Sequence, residues 1–150
     1  MKIAIGADHH GFQLKNEIQR LFGMDKGGRQ IAWLDVGCFS QEYCDYPKQA
    51  KDVVVSMRTG LADVGVLLCG TGVGMAIAAN RYAGIYAALV WTEELALKAR
   101  EHDNANILVL PADYITAEQA VAMVNAWVLA TFEGGRHQHR IDQIDALGGI

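Results

Sequence analysis

At 150 residues the chain fits a single domain that can bury a core without disulfide or metal staples. A formal net charge of −4, with 20% charged residues, gives no broad attraction to nucleic acid or to an anionic membrane, and no apolar run is long enough to span a bilayer. Met1–Gly6 reads as a strand start and not as a signal peptide, and Cys38, Cys44 and Cys69 match no zinc or redox spacing, so a reducing cytoplasm is expected.

The first strand is expected at Lys2–Gly6, and it empties into Gly6-Ala7-Asp8-His9-His10-Gly11. At the C-terminal end of a parallel strand, Asp8 and His9 face the edge where open α/β sheets bind ligands. The plainer alternatives are that Asp8 caps the following helix and that the histidine is merely exposed. A helix follows at Phe12–Phe22, then a turn marked by Gly23 and Gly27-Gly28, then a second strand at Ile31–Val36. Cys38 and Cys44 beyond it read as inert small hydrophobes. Tyr46 precedes a helix at Pro47–Thr59, where its hydroxyl either reaches a ligand or its ring packs on the helix start.

The third strand, Val64–Leu68, carries the densest chemistry. It runs into Cys69-Gly70-Thr71-Gly72-Val73-Gly74 and a helix at Val73–Arg81. Glycines there let backbone N–H groups approach an anionic or hydroxylated ligand, and the same donors are expected to lower the Cys69 pKa. A strand at Ile85–Val90 and a helix at Glu93–His102 follow. His102 then lies at the N-terminal end of the fifth strand, Ile107–Leu110, the edge opposite Cys69. It is therefore either a surface residue or a contribution to another subunit's site. Thr116-Ala117-Glu118-Gln119 reads as a capping box for a helix at Ala117–Thr131. After Gly134-Gly135, a last helix at Arg136–Leu147 puts Arg136 and Arg140 on one face, where they can grip a phosphate together. Cations at a helix N-terminus oppose its macrodipole, which argues for a bound anion; a solvated basic helix start is the alternative. The alternation predicts a three-layer α/β/α domain over residues 1–150 with a five-stranded parallel, Rossmann-like sheet.

Several chemistries are excluded by spacing. A cysteine phosphatase needs Arg six positions after its cysteine, but Met75 stands there. The loop ends in Gly74-Met75-Ala76 and lacks the Lys-Ser/Thr of a P-loop. The turn after the first strand has the wrong glycine spacing for a dinucleotide, and the hydrolase elbow Gly-x-Ser-x-Gly is absent. A thiol, a hydroxyl, a carboxylate, histidines and arginines remain. That set suits proton shuffling on a phosphorylated sugar without metal or organic cofactor, with the loop N–H groups steadying an enediolate.

Gly6-Ala7-Asp8-His9, Asp45-Tyr46-Pro47, Cys69–Gly74 with Ala78-Ala79-Asn80, Arg100-Glu101-His102 and Gly134-Gly135-Arg136-His137-Gln138-x-Arg140 together resemble the type B ribose-5-phosphate isomerase family, which includes the galactose-6-phosphate isomerase subunits. The resemblance spans essentially the whole chain. It implies that Cys69 carries a proton between C1 and C2, that Thr71 assists at the substrate oxygen, and that Asp8 and His102 serve ring opening. It assigns phosphate binding to His9, Arg136 and Arg140, and lining of the site to Tyr46 and to the loop at Gly70, Gly72 and Gly74. It further implies a cofactor-free homodimer or homotetramer whose sites draw on two subunits. The favoured substrate is ribose 5-phosphate. Allose 6-phosphate, galactose 6-phosphate, a tetrose phosphate and a non-catalytic sugar-phosphate-binding subunit are the alternatives. The chain departs from the family at Asp103, a substrate-contacting position where Asn is common, and at Leu110-Pro111-Ala112-Asp113, where many members carry an arginine.

Overall fold

The computed structural model describes residues 1–23 and 27–147. Its elements alternate as β1 (Lys2–Ala7), α1 (Phe12–Leu21), β2 (Ala32–Asp35), α2 (Tyr46–Arg58), β3 (Val64–Cys69), α3 (Val73–Ala79), β4 (Ala87–Leu89), α4 (Glu93–Asp103), β5 (Ile107–Pro111), α5 (Ala117–Leu129) and α6 (Arg136–Leu147). The strands form one parallel sheet in the order β2-β1-β3-β5-β4.

Successive side chains on a strand point to opposite faces, and here each face meets its own helices. Ile3, Ile5, Val66, Leu68, Leu108 and Leu110 pack with α1, α4 and α5. Ala4, Leu67, Cys69, Ile107 and Val109 pack with α2 and α3. The central strands are thus buried on both sides, which is why they read as unbroken apolar runs. Trp127 of α5 is 1% exposed and donates its indole N–H to the Ala105 carbonyl at 2.9 Å, while the half-buried Trp33 donates to Phe22 at 2.7 Å.

The capping box forms as expected. Thr116 Oγ1 accepts from the Gln119 N–H at 3.2 Å, and Gln119 Oε1 accepts from the Thr116 N–H at 2.8 Å. The fourth strand is shorter than its sequence suggests, and side chains satisfy the backbone where it begins. The Asn80 side chain both donates to and accepts from the backbone of Ala87, at 2.8 Å each, and Asn106 Oδ1 takes the Tyr86 N–H at 2.9 Å. Tyr46 is the first residue of α2, one position further into the helix than expected, behind an extended Asp45.

The chain leaves β1 toward β2 on one side and reaches β3 on the other. The C-terminal ends of β1 and β3 therefore flank a topological switch point, the place where open parallel sheets form their ligand crevice. Their register pairs Ala7 with Leu68, and the Asp8 N–H donates to the Leu68 carbonyl at 3.1 Å. No helix among the described residues is long and apolar enough to cross a membrane.

Candidate active site

Cys69 ends β3 on the face covered by α2 and α3, and only 5% of it is exposed. Its sulfur accepts the Gly72 N–H at 3.1 Å. Backbone donors of Met75, Gly72 and Thr71 pull the thiol pKa down, but burial outweighs them and, with the nearby Asp8 charge, leaves it above its ordinary value. The expected lowering is thus corrected: the donors are there, and desolvation of the thiolate is the larger effect.

Each loop glycine makes room for a particular neighbour. A Cβ on Gly70 would stand 2.6 Å from an Asp113 carboxylate oxygen. On Gly72, which has φ +79°, it would meet a Leu89 methyl at 2.4 Å. On Gly74 it would lie 2.7–3.0 Å from three carbons of the Tyr46 ring. Tyr46 therefore covers the loop, whichever group its hydroxyl serves. Thr71 is exposed at the tip, with its hydroxyl oxygen accepting from the Val73 N–H at 3.3 Å.

Asp8 is buried beside this loop, and its carboxylate accepts the Gly11 N–H at 3.0 Å, so it braces the turn into α1 while its charge bears on Cys69. The partly buried His9 shares a 3.3 Å hydrogen bond between its Nδ1 and the Cys44 carbonyl, and packs against the rings of His10 and Tyr43, centroids 4.6 and 5.1 Å away. Burial, a hydrogen bond with Cys38 and the Asp8 charge push the Cys44 thiol up to about 12. All three cysteines are free thiols.

Three neighbours at this edge are not among the site residues read from the sequence, although Asp113 marks a departure from the family there. His10 Nδ1 lies 3.4 Å from the Asp113 carboxylate, and the Asp113 N–H donates to the Gly70 carbonyl at 3.0 Å. Asp113 thus faces the loop. Adjacency of β3 and β5 creates the contact, and strand order is not written locally. The third is Lys15, wholly buried and bonded to Asp35 and to the Cys38 carbonyl at 2.7 Å, which anchors the loop leading to Cys44. Its signal is a lysine on the same helical face as Leu14 and Ile18.

The remaining candidates gather elsewhere. His102 lies in the last turn of α4, with its ring stacked on His137 at 4.3 Å and 5°. The Arg136 Nε–H donates to His137 Nε2 at 3.4 Å, and Asp103, Arg136 and Arg140 are exposed. The Glu133 N–H, donating to the Glu101 carbonyl at 2.9 Å, ties the turn before α6 to α4. This group sits at the start of β5, whereas Cys69 pairs with Pro111 at its finish. The intervening strand alone spans about 13 Å. Within one chain, then, Asp8, His9, Tyr46, Cys69 and Thr71 come together with the loop glycines, and His102, Asp103, Arg136 and Arg140 do not join them.

Residues 3–144 match the model of a family described as Ribose/Galactose Isomerase. Ribose-5-phosphate isomerase B of Escherichia coli (strain K12) is 41% identical over 146 residues, covering 97% of this chain and 95% of that protein. The crystal structure of a ribose 5-phosphate isomerase from Thermotoga maritima superposes with TM-score 0.90 at 51% identity, covering 97% of each chain. Ribose-5-phosphate isomerase B of Mycoplasma genitalium, solved with bound ribulose-5-phosphate, superposes at 0.86 with 40% identity, covering 97% of this chain and 95% of that one.

Proposed function

This chain belongs to the ribose/galactose isomerase family, and from that premise we propose that it interconverts ribose 5-phosphate and ribulose 5-phosphate by thiolate-mediated proton transfer through an enediolate. The observation that carries the reading is the Cys69 sulfur, held under the backbone N–H of Gly72 at the β1/β3 crevice beside the buried Asp8. In the open-chain sugar the Cys69 thiolate takes the proton from C2. The electron pair forms the C1–C2 double bond, and charge develops on O1, where loop N–H groups stabilise it. With Thr71 assisting, the O2 proton passes to O1, and Cys69 returns its proton to C1. A burial-raised pKa makes the thiolate, once formed, a stronger base.

Asp8 and His102 serve opening of the furanose ring, and His9, Arg136 and Arg140 hold the phosphate. Because His102 and the arginines stand at the opposite end of the sheet from Cys69, the reading requires a homo-oligomer in which one chain's crevice is completed by its partner's α4 and α6. The Asp113 carboxylate over Gly70 suits a sugar hydroxyl and repels a phosphate, which orients the phosphate toward His9. The same acid favours a second reading, in which the substrate is another aldose phosphate with a hydroxyl for Asp113 to bind.

The test is steady-state turnover of wild type and Cys69→Ala over a panel of aldose phosphates. Loss of roughly 10²–10⁴-fold, with binding of the sugar retained, is expected for a general base. Turnover that survives the substitution would remove Cys69 from the chemistry.

A further inference from the structure

At the end of the sheet remote from Cys69, His102 shares a donor set with two side chains that the proton-transfer chemistry does not use. Glu133 and His137 bracket the turn into α6, with His102 opposite them at the end of α4. The ligand-capable atoms of these three side chains all lie within 4.8 Å of one another. One carboxylate oxygen, Glu133 Oε2, is 3.4 Å from His137 Nε2 and 3.9 Å from His102 Nε2. The parallel rings thus turn the same nitrogen toward a single carboxylate oxygen.

Ligands around a tetrahedral ion with bonds of ~2.1 Å stand about 3.4 Å apart. The separation of Glu133 and His137 already matches that spacing, and His102, one-third exposed, has room to lean in. The frame is firm. His137 is 5% exposed with its N–H on the Gly134 carbonyl at 3.0 Å, and the Glu133 N–H is fixed to Glu101. Two imidazoles and a carboxylate form the donor set of open zinc sites, and imidazole favours zinc, copper and nickel over magnesium or calcium. Arg136 opposes an ion here through its bond to His137, but it is exposed and free to swing into solvent. Lys98 is engaged by Glu101 at 2.9 Å.

We propose that His102, Glu133 and His137 bind a divalent transition-metal ion of the zinc class, with the remaining coordination positions open to solvent. A consequence that rests on the function proposed above is that the ion and the sugar phosphate exclude each other, since both require His102 and the space in front of Arg136.

The experiment titrates Zn²⁺ into the metal-stripped full chain by calorimetry, and Co²⁺ by absorption, for wild type and Glu133→Gln. Glu133 is half-exposed, and circular dichroism verifies that the variant keeps its fold. The expected result is one ion per chain, bound roughly tenfold or more weakly by the variant. The cobalt adduct should show tetrahedral ligand-field bands and no thiolate charge-transfer band. Equal affinity in the variant, absence of binding, or a thiolate band that moves the ion to the cysteines would each overturn the proposal. Ribose 5-phosphate should then displace the cobalt. If it does not while Glu133→Gln still weakens cobalt binding as expected, the metal site stands and the two-chain reading of the sugar site falls.

Discussion

Lys15 donates to both carboxylate oxygens of Asp35, at 2.6 and 2.8 Å, from a side chain with no accessible surface. The rings of Phe12 and Phe39 lie 5.6 and 5.3 Å from the same ammonium. One buried cation thereby joins α1, the end of β2 and the start of the loop whose Cys44 carbonyl meets His9.

Removing that cation leaves Asp35 with an uncompensated, largely buried charge. Lys15→Met is expected to destabilise the fold by about 3–5 kcal/mol. Lys15→Met/Asp35→Asn should recover part of the loss, because the amide is neutral and its oxygen still accepts the Gly37 N–H, 2.9 Å from Asp35 in the wild type. Urea midpoints of the three proteins check the ordering. A double variant no better than Lys15→Met would mean that lost packing, and not stranded charge, is the cost.

The proposed two-chain site predicts complementation. Cys69→Ala and His102→Gln should each be inactive alone. After subunit exchange, mixed dimers carry one crevice with both groups intact, and activity should return to about a quarter of wild type, the statistical limit for an equimolar twofold mixture. No regain on mixing would show that each site is completed within one chain.

Tyr46 and Gly74 are tightly coupled. A methyl at position 74 would lie 2.7–3.0 Å from the ring, so the ring must shift. Gly74→Ala is expected to cost about 1–3 kcal/mol of stability, as overpacking does, and to raise KM by moving the loop. In a Tyr46→Ala background the same substitution should cost much less, and the difference is read from a double-mutant cycle.

Burial first, then neighbouring charge, holds the proton on Cys69 above its ordinary pKa of 9.0. Alkylation of Cys69 by iodoacetamide, followed by peptide mass spectrometry, should therefore titrate with a midpoint above 9.0. Cys44 shifts the same way, to about 12. Both thiols bind protons more tightly folded than unfolded. The stability they contribute is complete below pH 9.0 and is lost as pH climbs through the folded values. Denaturant midpoints should fall across that window, and by less in Cys44→Ala.

The order of elements could be read from the chain because local signals agree with the fold. Val64–Leu68 is apolar throughout because both faces of β3 are covered, and Thr116 with Gln119 spells the start of α5 in adjacent letters. The Cys69 loop was visible for the same reason: strand, glycines and helix are contiguous. Contacts made by strand order were not visible. Asp113 reaches Gly70 only because β5 lies beside β3, and His137 meets His102 only because α6 folds back on α4. Position 69 shows a further limit. The donors around the thiol follow from the loop, whereas its burial depends on α2 and α3 closing over it, and burial decides the sign of the pKa shift. Lys15 reads in the sequence as any helix lysine, and only the fold sets it, with Leu14 and Ile18, on the buried face opposite Asp35.

The three indoles occupy three environments. Trp127 is 1% exposed in the core, Trp33 is half-buried, and Trp91, just past β4 on the edge that carries Cys69, is 58% exposed. Under ultraviolet excitation the folded chain thus emits from a dry indole and a wet one, with Trp33 between them. Opening of the core would redden the first signal, and any molecule settling over the end of β4 would shift the second to the blue. Melting and docking acquire separate colours in the unlabelled protein.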